Sequence, residues 1–176
     1  MFDWEAIETA ICNSHPSSTI YVGCDSKRKS DLISYATVII IHLEGSKGAQ
    51  VFKMVETEPA YMNATDGIRS RLMNEVYKAG ECALRVKPMC GPRGFEVHVD
   101  INPDPKHKSS IAYNEAKGTI LGYVGQEPVF KPDAFAASCA ADYDAVRRAD
   151  KIAKRKEVRK INRKNKKAKY KKTKGR

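Results

Sequence analysis

The sequence predicts an α/β fold: a mixed five-stranded sheet, three antiparallel strands followed by parallel crossovers, flanked by helices. Two observations carry that expectation. Three strand-like runs follow one another early in the chain, joined by short polar or Gly-bracketed loops, whereas the last two are set apart by stretches of helical periodicity. In addition, two of the runs, Ile20-Tyr-Val-Gly-Cys-Asp25 and Glu96-Val-His-Val-Asp100, end on aspartate. Paired in parallel, they would place two carboxylates side by side at the carboxyl ends of central strands, the usual seat of a site in open α/β sheets.

Each element has its own signal. Trp4, Ile7, Ala10 and Ile11 share a helical face, giving a short N-terminal helix over residues 3–13 that ends before Pro16. Ile20–Cys24 is the first strand, and Ser26-Lys-Arg-Lys-Ser-Asp31 reads as a polar loop. Ser34–Leu43 is rich in β-branched residues (Thr37-Val-Ile-Ile-Ile41) and suited to burial on both faces. Glu44-Gly-Ser-Lys-Gly48 is a hairpin loop, with Ala49–Glu56 as the return strand.

A long helix should follow, capped by Thr65 or Asp66, with Ile68, Leu72, Val76, Ala79 and Ala83 on one face. It ends near Val86, before Pro88 and the turn Gly91-Pro-Arg-Gly94. Glu96–Ile101 is the fourth strand. The two prolines of Asn102-Pro-Asp-Pro-Lys-His-Lys108 exclude regular structure there. Ser109 or Ser110 caps a helix to about Leu121, Gly122–Gly125 is a turn, Pro128–Lys131 a short strand, and Asp133 caps a final Ala-rich helix.

At 176 residues the chain is long enough for one domain with a sizeable core, here residues 1–149, followed by a basic tail over 150–176. No apolar run reaches membrane-spanning length, and Met1-Phe-Asp-Trp-Glu lacks the layout of a signal peptide. Five cysteines, odd in number and without a C-x-x-C pair, read as reduced thiols in a cytoplasmic protein and support neither a zinc site nor a disulfide framework. The net charge of +11 is uneven. Residues 147–176 hold 17 Lys and Arg against Asp150 and Glu157, a net of +15, which leaves the body at −4. Such a tail marks a polyanion partner or a solvated segment.

Two carboxylates at adjacent strand ends repel each other, and a divalent cation between them removes the repulsion. The rival readings are local: Asp25 could start a turn into Lys27-Arg-Lys29, and Asp100 could cap the loop that follows it.

The order of elements, with aspartates on strands one and four, resembles the ribonuclease H-like superfamily, and locally its YkuK-like family. The similarity lies in Tyr21-Val-Gly-Cys-Asp-Ser26, Tyr35-Ala-Thr-Val-Ile39, Arg69-Ser-Arg-Leu-Met-Asn-Glu75, Val97-His-Val-Asp-Ile-Asn-Pro103, Gly122-Tyr-Val124 and Lys131-Pro-Asp-Ala-Phe-Ala-Ala-Ser138 with Ala141-Asp142. The resemblance implies a ribonuclease H-like fold and four acids holding two Mg²⁺ or Mn²⁺ ions: Asp25, Glu75, Asp100 and either Asp133 or Asp142. It further implies a nuclease hydrolysing phosphodiester bonds, with the RNA strand of an RNA–DNA hybrid as the expected substrate. The same fold hosts structure-selective DNA nucleases, and a non-catalytic nucleic-acid-binding protein could keep the fold without the chemistry.

Glu75 could instead be a solvated helix residue, Asp133 a simple cap and Asp142 a salt-bridge partner. His107, between Lys106 and Lys108, is placed to shuttle protons or bind phosphate, with exposed loop residue as the rival reading. Lys27, Arg28, Lys106, Lys108 and Lys131 are candidate phosphate contacts, Lys131 being also placed to offset the acids' charge. In the tail, Lys154, Arg155, Lys156, Arg159, Lys160, Arg163 and Lys164 would add salt-dependent, sequence-independent affinity. Tyr170 is its one aromatic, too few for base stacking.

Overall fold

The computed structural model describes residues 1–44, 48–60 and 64–136. The tail and Asp142 therefore lie outside the described residues. The elements run α1 (Trp4–Asn13), β1 (Thr19–Lys29), β2 (Leu32–His42), β3 (Ala49–Pro59), α2 (Ala64–Val86), β4 (Gly94–Val99), α3 (Tyr113–Val124) and β5 (Val129–Phe130). They form one five-stranded sheet in the order β3-β2-β1-β4-β5. β1–β2 and β2–β3 are antiparallel, while β1–β4 and β4–β5 are parallel. This is the mixed sheet expected from the order of elements.

β2 sits between β1 and β3, and from Ile33 to Ile41 every residue is buried. Its continuous apolar run follows from having both faces covered. One face of the sheet carries Ile20, Val22, Ile39, Ile41, Val97 and Val99 in a core shared with Leu72, Val76 and Ala83 of α2 and Ala116 and Ile120 of α3. On the other face Ala36, Val38 and Ile40 pack with Ala136, and Tyr21 and Val55 lie against them. Each large aliphatic side chain fully removed from water in this way stabilises the fold by about 1.5–3 kcal/mol before entropy is counted.

Apart from shifts of a few residues at element ends, among them α2 beginning at Ala64 and so ahead of the expected caps Thr65 and Asp66, the structure differs from the sequence reading in three places. Ser26–Asp31 is not a loop: β1 continues to Lys29, paired through Lys29↔Leu32, and only Ser30 and Asp31 turn the chain, with Ser30 at φ 55°. The buried runs of β1 and β2 fix a register that carries the ladder beyond the core, and the charged residues of the hairpin tip are tolerated because they face solvent. Ser109 and Ser110 do not cap α3. They belong to a 3-10 segment, Lys108–Ala112, and Ser109 Oγ instead accepts a bond from Asn102 N–H at 3.0 Å. Finally, α3 runs through Gly122 to Val124 and stops at Gly125, whose left-handed conformation (φ 69°) closes the last turn.

His98 anchors the end of the described chain. It is buried in β4, its Nδ1 accepts a bond from the Ala136 N–H at 3.1 Å, and its Nε2 lies 2.9 Å from Glu96 Oε2. The first contact needs a bare Nδ1, so the proton sits on Nε2 and is donated to Glu96. Tyr21 and Phe135 pack on the same ring, at centroid distances of 5.0 and 4.9 Å.

Candidate active site

Parallel pairing brings the two strand-end aspartates together. The β1–β4 register runs from Thr19↔Gly94 to Cys24↔Val99, so the next residues along are Asp25 and Asp100. Neighbouring strands lie about 4.8 Å apart, which places these residues side by side. Asp25 is buried, and its Oδ1 accepts a bond from the Ser26 N–H at 2.7 Å. Asp100 is mostly covered, its side chain 19% exposed, and its Oδ1 meets the Lys131 ammonium at 2.6 Å.

Lys131 owes its position to the backbone. β5 extends the sheet beside β4 through Val99↔Phe130, and the Lys131 N–H then donates to Ile101 O at 3.1 Å. This sets the Lys131 side chain just past the end of β4, over Asp100. Hydrogen bonding to Asp100 and the neighbouring carboxylates hold its ammonium pKa above the usual lysine value.

Glu75 approaches from α2. It is buried and takes the Ser26 hydroxyl hydrogen at 2.5 Å; Arg71, one turn earlier, reaches Glu75 Oε1 at 3.1 Å. The same Arg71 Nη1 lies 2.9 Å from Ser26 Oγ and 3.1 Å from Ser26 O, so one guanidinium nitrogen ties β1 to α2. Burial raises the Glu75 pKa well above the ordinary glutamate value, and the Asp25 carboxylate raises it further, against smaller opposing effects of Arg71 and Ser26. Side chains alternate along β1, so Asp25 leaves the strand on the other side from Ser26, yet at the strand end its charge still acts on Glu75 and it borders the same cleft as Ile68 and Arg71 of α2.

A cleft of about 570 Å³ opens beside these residues, and the buried Glu75 is not among those that line it. Asp25, Ser26 and Asp100 line it together with the cations Lys27, Arg28, Arg71 and Lys131, and Ile68 adds an apolar wall. Lys27 and Arg28 reach the cleft because β1 continues past Asp25 as a strand. Asp133 is exposed, in the turn two residues beyond Lys131, with its N–H bonded to Phe130 O at 3.0 Å. It is not among the residues bordering the cleft. His107 is exposed and bonds through its N–H to Asp104 O at 2.9 Å; Lys106 and Lys108 beside it are also exposed, on the loop that leaves Asp100.

Ser26 and Arg71 were not singled out as site residues in the sequence. The i,i+4 spacing of Arg71 and Glu75 on a helix is the signal that could have found the arginine.

Over residues 4–145 the chain matches the family model described as Ribonuclease H-like. The chain belongs to the ribonuclease H-like family. No curated protein and no solved structure matches it. Family membership, with the five-stranded sheet and its flanking helices, supports a nuclease-type function and nucleic acid as the partner. No helix among the described residues is long and apolar enough to cross a membrane.

The resemblance described above implies divalent ions, and the acids here offer donors of the type such ions take. Asp25, Asp100 and Glu75 offer hard carboxylate oxygens of the kind Mg²⁺ and Mn²⁺ prefer, and Asp100 already holds a cationic group, the Lys131 ammonium. Among the described residues no three His, Cys, Asp or Glu side chains are arranged to hold one ion together. Glu75 is instead engaged by Ser26 and Arg71.

Proposed function

We propose that this ribonuclease H-like protein is a divalent-metal-dependent nuclease that hydrolyses phosphodiester bonds, with the RNA strand of RNA–DNA hybrids as its leading substrate. The observation that carries the reading is the parallel β1–β4 register, which puts Asp25 beside Asp100 in a cleft bordered by four cationic side chains. A purely acidic cleft would repel a polyanion, whereas this one offers anionic donors for metal and cations for phosphate.

Asp25 and Asp100 are the central ligands in this reading, with Glu75 joining them and Asp133 or Asp142 completing the set. When bound, Mg²⁺ or Mn²⁺ supplies activation of water and neutralisation of charge on the scissile phosphate. The chain's own groups do the rest. Lys27 and Arg28, on the hairpin that extends past Asp25, hold the backbone of the substrate strand. Arg71 fixes Ser26 and Glu75, and so the floor of the cleft. Lys106 and Lys108 contact phosphates outside it, and His107 is available for proton transfer in the same loop. The +15 tail, through residues such as Lys154, Arg155, Lys156, Arg159, Lys160, Arg163 and Lys164, adds non-specific affinity in a cytoplasmic setting. Within the family, the motifs around Asp25, Asp100 and Lys131 favour the YkuK-like branch.

The test is a cleavage panel. Labelled hybrid, duplex RNA, duplex DNA and branched DNA are incubated with the protein and Mn²⁺ or EDTA. Metal-dependent cutting of the hybrid supports the proposal, and cutting of branched DNA alone would favour a structure-selective DNA nuclease. Failure to cut any of the four would leave a nucleic-acid-binding protein.

A further inference from the structure

The two cations bound to the acids of the cleft are held very differently. Arg71 Nη1 shares its two N–H groups among three oxygens, two of them on Ser26, and its side chain is 27% exposed. It is part of the scaffold. Lys131 is 40% exposed and, among the described residues, its ammonium has one ion-pair partner, Asp100 Oδ1 at 2.6 Å. Its flexible four-carbon stem can swing the ammonium into solvent while the backbone bond to Ile101 O stays in place.

The oxygen it occupies belongs to a carboxylate that the proposed chemistry assigns to a divalent ion. The 2.6 Å contact takes up one side of Asp100 Oδ1 and offsets the carboxylate's charge, so a divalent ion approaching that oxygen competes with the ammonium. We propose that Lys131 is a built-in competitor for the metal site: it neutralises Asp100 in the metal-free protein and gives way when a divalent ion binds there. Once displaced, its ammonium remains tethered at the mouth of the cleft, where a phosphate oxygen of the substrate can take it up. Lys131 thus acts as a positioning residue whose state depends on metal occupancy. This rests on the reading of the cleft as a divalent-ion site.

The experiment measures Mn²⁺ affinity directly, by electron paramagnetic resonance of free Mn²⁺ in the absence of nucleic acid. Wild type is compared with Lys131→Met, Lys131→Arg and, as control, Lys27→Met, which removes a cleft cation lacking a contact to Asp100. The exposure of Lys131 makes these substitutions tolerable to the fold, and circular dichroism checks it. Lys131→Met should bind Mn²⁺ about two- to fivefold more tightly than wild type, the range expected for releasing one partly exposed ion pair. Lys131→Arg should restore wild-type affinity or weaken it, and Lys27→Met should change it by less than Lys131→Met does. Equal or weaker binding by Lys131→Met overturns the competitor role and leaves the metal site standing, as does equal tightening by Lys27→Met, which would show a general charge effect. Absence of Mn²⁺ binding in all four proteins overturns both the inference and the metal-site reading beneath it.

Discussion

Ser26 and Glu75 share one short hydrogen bond, 2.5 Å from Oγ to Oε1, across the buried seam between β1 and α2. The residue that follows the strand-end aspartate is thereby fixed to the helix, and with it the direction of Asp25. Ser26→Ala removes the donor and leaves a buried carboxylate oxygen with Arg71 as its remaining partner. A loss of about 1–3 kcal/mol of stability is expected, read by urea denaturation with EDTA present.

Glu75 should also give the fold a pH signature. Burial raises its pKa in the folded state above the ordinary 4.5. Between those two values the native protein keeps a proton that the unfolded chain releases, so the contribution is full below 4.5 and is lost as pH rises through the folded pKa. Glu75→Gln cannot titrate. Its Tm relative to wild type, measured in EDTA, should therefore rise as pH increases from below 4.5. A difference that is flat or falls with pH would contradict the assignment.

Gly80 lies within α2, where alanine would normally strengthen a helix by about 1 kcal/mol. Here a Cβ would come within 2.7 Å of Tyr123 Cδ2 and 3.2 Å of its Cγ, ring atoms close to the α3 backbone that cannot easily withdraw. Gly80→Ala should be net destabilising, by about 1–3 kcal/mol. Thermal denaturation checks the sign.

The thiols divide by burial. Cys12 is exposed, whereas Cys24, Cys82 and Cys90 are buried, and burial pushes the Cys82 thiol up to about 12 and Cys90 to about 11. Under native conditions an alkylating reagent at neutral pH should label Cys12 well before these three, as peptide mass spectrometry would show. Equal labelling would mean that the core opens around α2.

Removal of residues 150–176 deletes much of a segment whose charge, from Arg147 onward, is +15. Affinity for nucleic acid should fall, and the slope of log K against log salt should become shallower by roughly 0.7–0.9 for each phosphate that the tail neutralises. An unchanged slope would show that the tail neutralises none.

Much of this architecture was legible because it rests on local chemistry. The Ile-rich run of β2 could only be a strand covered on both faces, and the apolar spacing from Leu72 to Ala83 buries one side of a helix, whereas Ile68 at its start is exposed beside the cleft. The neighbourhood of Asp25 and Asp100 followed from strand order once the crossover was taken as parallel. What escaped was set by tertiary context. Lys27-Arg-Lys29 looked like a loop because its residues are charged, yet the buried ladder of β1 and β2 imposes strand geometry on it. Arg71 and Ser26 were hidden because their importance lies in a contact between elements 45 residues apart. Lys131 was legible as a neighbour of the acids, whereas its place on one particular oxygen depends on how β5 meets β4.

The central claim is that Asp25 and Asp100 form the working core of a metal-dependent nuclease, and cleavage of a labelled RNA–DNA hybrid in Mn²⁺ tests it most directly. Wild type should cut the hybrid and lose that activity in EDTA. Asp25→Asn and Asp100→Asn, folded by circular dichroism, should each fall by more than about 100-fold, beyond the 10–100-fold typical of residues that only support a metal ligand. Cutting by either variant at the wild-type rate, or cutting by wild type that persists in EDTA, would contradict the account.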